Sequence, residues 1–288
     1  MNHSRRPLTT KIFRFFSSLL WFVEFVLNNS GREYGITRTD KLRLSLRIIQ
    51  NTKKVKSLST WRQHLVLVDE IFNVPKSLAG AIVECGCYNG ASTVNLSLAC
   101  ALTGRELIVC DSFEGLPEPR REERYDIHAF STDYYVWERG DFSSTGGLGG
   151  VKLNVERFGD IQVCRFIKGY FQDTLPSINT ESIVLVFEDA DIASSVEDCL
   201  RFLWPKLQDG CKFFCHEPWS IHVVSLFYDE KWWKNNLGSP PPGFYGSGYG
   251  TIAGLGYSSI GFAKKFDHEK IRNKGDRILH EGSMGFED

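Results

Sequence analysis

The spacing of apolar positions changes along the chain, and the changes sort it into elements. From Ile12 to Leu27 the spacing is helical. Ile12, Phe16, Leu19, Leu20, Val23 and Leu27 share one face of a wheel, and Arg14, Ser17, Ser18, Glu24 and Asn28 share the other. Two further helices are predicted, one from about Asp40 to Lys54 and one over Trp61 to Phe72. Beyond them, short apolar runs alternate with helical stretches. Ala81–Cys85, Leu107–Cys110, Gln162–Ile167, Ile183–Phe187 and Cys211–Cys215 read as buried strands. Ala91–Leu102, Val151–Phe158 and Ser194–Leu207 read as helices, with Gly104 and Gly159 as stops for the first two. Residues 112–150 form a long stretch rich in aromatics, charge and glycine. Thr251–Leu255 and Ser258–Lys264, separated by Gly256, read as a closing hairpin.

Strand–helix alternation predicts an α/β fold with a mostly parallel, Rossmann-like sheet and helices on both faces. The C-terminal hairpin adds an antiparallel strand. The pattern divides the chain into a helical appendage (residues 1–60), a main domain (61–265) and a tail (266–288). The N-terminal apolar stretch is shorter than the roughly 20 residues of a spanning helix. Two readings stay open for residues 12–27: a helix lying in a membrane interface, or one docked on the domain or on a second subunit of a homo-oligomer.

Composition narrows the function classes. Hydrophobic residues make up 42% of the chain, enough for a full core, and a net charge of −1 argues against a nucleic-acid partner. The basic residues between Lys41 and Lys56 read as a solvated helix face. The eight cysteines lie mostly in apolar runs, so a reduced, cytoplasmic compartment is expected, with membrane association through residues 12–27 as an addition. Neither Cys85 with Cys87 nor Cys211 with Cys215 has zinc-finger spacing.

The chemistry-bearing segment is Glu84-Cys-Gly-Cys-Tyr-Asn-Gly-Ala-Ser92, which leaves the first strand and opens a helix. Gly86 and Gly90 let the backbone turn close to a ligand. The ligand would sit at the carboxyl edge of the sheet, where Asp111 ends the second strand and can accept ribose hydroxyls. The glycine spacing departs from the G-x-G-x-x-G that holds a pyrophosphate. An acidic loop suits S-adenosylmethionine (SAM), which has a sulfonium and an amino group but no phosphate. A nicotinamide-dependent oxidoreductase is the more distant reading.

Several runs together resemble the macrocin O-methyltransferase family of class I, SAM-dependent enzymes. These are Ile82-Val-Glu-Cys-Gly-Cys-Tyr-Asn-Gly-Ala-Ser92, Asp111-Ser-Phe-Glu-Gly-Leu-Pro117, Lys168-Gly-Tyr-Phe-Gln-Asp-Thr-Leu-Pro176, Asp189-Ala-Asp191 and Leu203-Trp-Pro-Lys-Leu207. The resemblance implies methyl transfer to a hydroxyl of a sugar or other small natural product, with a divalent metal, magnesium or manganese. It implies that Glu84, Gly86, Asp111, Ser112 and Phe113 line the SAM pocket, with Tyr88, Gly90 and Ser92 of the same loop. It places a metal ligand and catalytic carboxylate at Asp189 and a general base at Asp191. Where the family has an Asp-Asp pair after the fifth strand, this chain has His216-Glu217. Asp189, His216 and Glu217 are then the candidate metal set, and His216 is also a candidate base. The altered pair motivates an alternative: a SAM-binding protein that has lost catalysis. Trp232, Trp233 and the segment from Pro240 to Tyr245 read equally as acceptor pocket or as core and loop.

Overall fold

The computed structural model describes residues 19–127, 134–245 and 260–266. Five parallel strands and one antiparallel strand form a single sheet in the order β5-β2-β1-β6-β7-β8. The strands are β1 (Ala81–Cys85), β2 (Leu107–Asp111), β5 (Cys164–Lys168), β6 (Ile183–Glu188), β7 (Leu207–Cys215) and β8 (Gly261–Lys264). Their apolar runs are continuous because β1, β2 and β6 are buried along their whole length. The register sets Cys85 beside Cys110 and Glu188, and Glu188 beside Cys215. The residues that follow these strands therefore converge at one edge.

The expected closing hairpin is half described. β8 pairs antiparallel with β7, whereas Thr251–Leu255 lies outside the described residues. β7 begins at Leu207, four residues before the expected Cys211, because α7 (Ala193–Leu203) gives way to a single 3-10 turn at Trp204–Lys206. Pro205 in that turn cannot continue the helix. Helix α5 (Gly147–Phe158) starts four residues before the expected Val151, within a glycine-rich run whose pattern predicts a loop. The long middle segment holds a small hairpin, β3 (Tyr125–Ile127) paired with β4 (Tyr134–Val136).

Helices α2 (Arg38–Lys54) and α3 (Trp61–Asn73) each begin with a capping box, Thr37 with Asp40 and Thr60 with Gln63. Together with α4 (Ala91–Thr103) and α5 they pack as one group, while α6 (Phe171–Thr174), α7 and α8 (Ile221–Leu226) form a second. Residues 19–27 form helix α1, and residues 1–18 of the predicted helix lie outside the described residues. The docked face of α1 is Trp21 and Phe25, one turn apart. Phe25 stacks on Phe72 at 6.2 Å, and Trp21 meets Trp61 at 6.4 Å. The ridge read from the wheel, Leu19, Leu20, Val23 and Leu27, points outward, each residue at least 42% exposed. No helix among the described residues is long and apolar enough to cross a membrane.

Lys41, read from the sequence as part of a solvated basic face, is only 1% exposed. Its ammonium donates to the carbonyls of Phe25 (3.1 Å) and Asn28 (3.0 Å) and to the Asn28 side chain. Those carbonyls close the C-terminal end of α1, where a cation offsets the helix dipole. Burial pushes the Lys41 pKa down, and Asp69, which accepts from Asn28 and Ser30, pulls it back. Trp232 and Trp233 belong to α9 (Glu230–Leu237). Trp233 is fully buried against Trp204 and donates to the Leu226 carbonyl, which is a core role.

Because α1 shares the core, Phe25→Ala should cost about 3–5 kcal/mol, the scale of a deleted buried aromatic. Val23→Ser, on the outward ridge, should stay within about 0.5 kcal/mol of wild type. Urea unfolding of the two variants tests this; equal, small effects would mean that α1 does not hold to the domain.

Candidate functional site

At the carboxyl edge of β1, β2 and β6 lies a cavity of about 520 Å³, within the size range of small-molecule sites. One wall is the loop after β1, with Gly86, Cys87, Tyr88 and Ser92; the end of β2 contributes Asp111 and Ser112. The far wall is Asp189, Asp191 and His216. Gly86 sits at φ 85°, and a Cβ there would fall 2.0 Å from the carbonyl oxygen of Asp189, so only glycine lets the loop cross the end of β6. Gly115, in the run after β2, is confined in the same way, since a Cβ would meet the carbonyls of Gly140 and Asp141 at 2.4 Å. That contact brings the segment carrying Phe142 over the cavity.

Asp111 is 9% exposed. One carboxylate oxygen accepts the Cys87 N–H (2.6 Å) and the other the Phe113 N–H (2.5 Å). Asp111 therefore shapes the loop around it as well as facing the cavity. Burial raises its pKa, and these backbone donors oppose the shift.

Not every expected residue reaches the cavity wall. Glu84 is fully buried beneath the loop and accepts from Thr93 at 2.6 Å. Its other oxygen has no hydrogen-bond partner, and burial pushes its pKa up to about 8. Gly90 caps the start of α4, Phe113 is buried at φ 59°, and Glu217 lies fully buried behind His216; none of the three lines the cavity.

Among the described residues, four other than glycine have positive φ: Tyr88, Phe113, Phe142 and Asp191. Three of them line the cavity and the fourth adjoins it. Strained backbone of this kind collects at functional sites, and no residue pattern announces it. The cavity is also lined by Lys56, read from the sequence as part of a solvated helix face, by Ser57, Leu58 and Ser59 from the same linker between α2 and α3, by Arg120 and Tyr170, and by Phe171 at the start of α6. Tyr170 and Phe171 stand within the Lys168–Pro176 run that carried the family resemblance, so a signal for them was present. The linker residues have none.

Asp189, His216 and Glu217 do converge, with ligand atoms all within 4.8 Å of one another. His216 Nδ1 lies 2.9 Å from Asp189 and 3.3 Å from Glu217. Asp189 has its pKa lowered: burial works against the charge, and His216 outweighs it. Glu217 is pushed well up by burial and by Glu188, which favours the neutral acid, and its Oε1, the oxygen nearest His216, has no hydrogen-bond partner. Burial opposes charge on His216 too, and Asp189 and Glu217 outweigh it and raise its pKa; both carboxyl groups act on the Nδ1 side of the ring, and a different group faces Nε2.

On the other side of the ring stands Gln63, the N3 residue of α3. The Thr60 N–H can only donate, so the Gln63 atom 2.6 Å from it is the carbonyl oxygen. The Gln63 NH2 then meets His216 Nε2 at 3.1 Å, and that nitrogen must accept. The ring proton is left on Nδ1, between the two carboxyl groups. A metal ion would need a lone pair on that nitrogen. The donor set as folded does not fit the divalent cation that the family resemblance implied.

The comparisons agree with this architecture. A model of the macrocin O-methyltransferase (TylF) family matches residues 62–221. The chain is 35% identical over 136 residues to the 8-demethyl-8-(2,3-dimethoxy-alpha-L-rhamnosyl)-tetracenomycin-C 4'-O-methyltransferase of Streptomyces olivaceus, covering 46% of this chain and 50% of that protein. It is 28% identical over 163 residues to the mycinamicin III 3''-O-methyltransferase of Micromonospora griseorubida, covering 51% and 63%. The chain thus spans only half to just under two thirds of these relatives. Among solved structures, the O-methyltransferase NovP superposes with a TM-score of 0.56 at 17% identity, over 78% of this chain and 99% of that one. The calicheamicin methyltransferase CalS11 gives 0.51 at 15%, over 79% and 93%. Those two likenesses establish the class I methyltransferase fold. The family match covers more than half of the sequence, and the chain belongs to the macrocin O-methyltransferase (TylF) family.

Proposed function

We propose that the protein is a SAM-dependent O-methyltransferase acting on a hydroxyl of a small metabolite or sugar. The observation that carries this reading is the single cavity joining the Gly86–Tyr88 loop and Asp111 to Asp189 and Asp191. It puts a nucleoside-sized site and half-buried acid groups in one enclosure. The curated relatives are sugar and natural-product O-methyltransferases by name, which favours the same acceptor class.

Bound SAM supplies an electrophilic methyl group on a sulfonium. The chain's own contribution is to hold the acceptor oxygen in line with that methyl, exclude water and accept the hydroxyl proton. Asp191 is the base in this reading. Burial, and after it the charge of Asp189, raises its pKa well above the usual carboxylate range, so its carboxylate is a stronger proton acceptor. Its φ of 63° fixes the backbone from which it points. Ser194, Ser195 and Arg120 give the outer cavity the polar lining a hydroxylated acceptor needs. His216 has both ring nitrogens engaged and acts by holding Asp189. Contact with a membrane surface or a second subunit is assigned to the outward ridge of α1.

The primary test is calorimetry with SAM, followed by mass spectrometry of methyl transfer to a panel of sugars and phenols. Absence of SAM binding would sink the reading. Binding without transfer to any acceptor would favour the SAM-binding, non-catalytic alternative.

Asp111→Asn replaces one acceptor oxygen with a donor facing a backbone N–H. SAM affinity should fall by about 1–3 kcal/mol, the scale of a hydrogen bond to a charged group. Asp191→Asn should leave SAM affinity intact and lower kcat by about 10²–10⁴-fold. A drop in both would mark Asp191 as a binding residue instead.

Glu84, with a pKa of about 8, is mostly protonated at pH 7. A cation entering the cavity favours its ionised form, so SAM binding near pH 7 should release a proton. Calorimetry in two buffers of different ionisation heat reads that release directly. It should shrink in Glu84→Gln; a release unchanged by the substitution would assign the proton elsewhere.

A further inference from the structure

We propose that Gln63 is a positioning residue that closes the Asp189–His216–Glu217 cluster to divalent metals, so that an imidazole N–H, and not a metal ion, stands against Asp189. The inference concerns the cavity assigned above to methyl transfer and rests on that reading for its catalytic consequence.

The constraint originates outside the site. Gln63 is committed by the start of α3, where its carbonyl oxygen accepts from both the backbone N–H (2.6 Å) and the hydroxyl (3.0 Å) of Thr60. Turning the amide over would set NH2 against N–H and open the capping box. With the oxygen held there, the amide nitrogen donates to His216 Nε2. A second ring proton would have to sit on that same Nε2, where Gln63 already points a hydrogen. The imidazole is thereby held as the Nδ1–H tautomer, with its N–H directed at Asp189 at 2.9 Å and Glu217 next at 3.3 Å.

A metal-binding histidine has the reverse arrangement. It offers a lone pair to the ion and donates its other N–H to a carboxylate, a carbonyl or water. Here the group behind the ring is a donor. The proton on Nδ1 occupies the place of the metal–nitrogen bond and does one job of a cation: it holds Asp189 oriented on the cavity wall. Methyl transfer by this chain then runs without a divalent ion.

The swap that tests this keeps the fold, because glutamate serves the capping box as well as glutamine does. In Gln63→Glu a carboxylate accepts from Nε2–H, and Nδ1 becomes a free ligand. The full chain, labelled with ¹⁵N-histidine and assigned by the signal lost in His216→Asn, should show a protonated Nδ1 and a bare Nε2. Manganese, followed by electron paramagnetic resonance, should find no site in the wild type that depends on His216. In Gln63→Glu its affinity should rise by about tenfold or more, the range of a changed partner behind a ligating histidine. SAM affinity measured alongside reports on the methyltransferase reading separately.

A wild-type Nε2–H tautomer, or wild-type manganese binding lost in His216→Asn, would overturn the proposal. So would an unchanged manganese affinity in folded Gln63→Glu. The two wild-type measurements decide the matter even if the variant does not fold.

Discussion

The loop after β1 can exist only where Gly86 passes beneath the carbonyl of Asp189, and the rest of the site follows from that crossing. A side chain at position 86 would overlap the end of β6, so the loop and the acidic strand end move as one piece. Asp111 completes the frame from the other side by accepting the N–H groups of Cys87 and Phe113. Three strand ends are joined by backbone contacts before any ligand enters, which is the condition for a preorganised pocket.

The parts of the fold that could be read from the sequence were those with a physical reason to be periodic. β1, β2 and β6 are buried on both sides and read as nearly continuous apolar runs; α7 has one buried face. The start of α5 was hidden because Gly146, Gly147, Gly149 and Gly150 carry a loop composition into a helix. The docking face of α1 was not legible because a wheel sorts side chains by polarity alone. The docking contact uses two large aromatics, Trp21 and Phe25, and leaves the aliphatic ridge outside. Lys41 looked solvated for a similar reason: nothing local says that a lysine will close the end of another helix.

The site shows the same division. Motif residues such as Gly86, Asp111, Asp189 and His216 stand where strand ends had to bring them. What the motifs did not carry is the partner of each. Glu84 turned out to support the loop from beneath, and Gln63, which governs the ring of His216, comes from a helix start well before the first strand. Hydrogen-bond partners distant in sequence leave no periodic trace. The direction of a proton on an imidazole depends entirely on such partners.

The cysteines have a practical consequence. All eight are free thiols and seven are buried, most with pKa values pushed well up by burial, so the native protein presents almost no thiolate to solvent. Unfolding exposes them together at ordinary thiol pKa values, where each becomes a partner for disulfide exchange. In air, the heated chain would therefore be trapped as cross-linked aggregate, and its apparent heat resistance would depend on scan rate. Reductant would restore reversibility while leaving the folded state as it was.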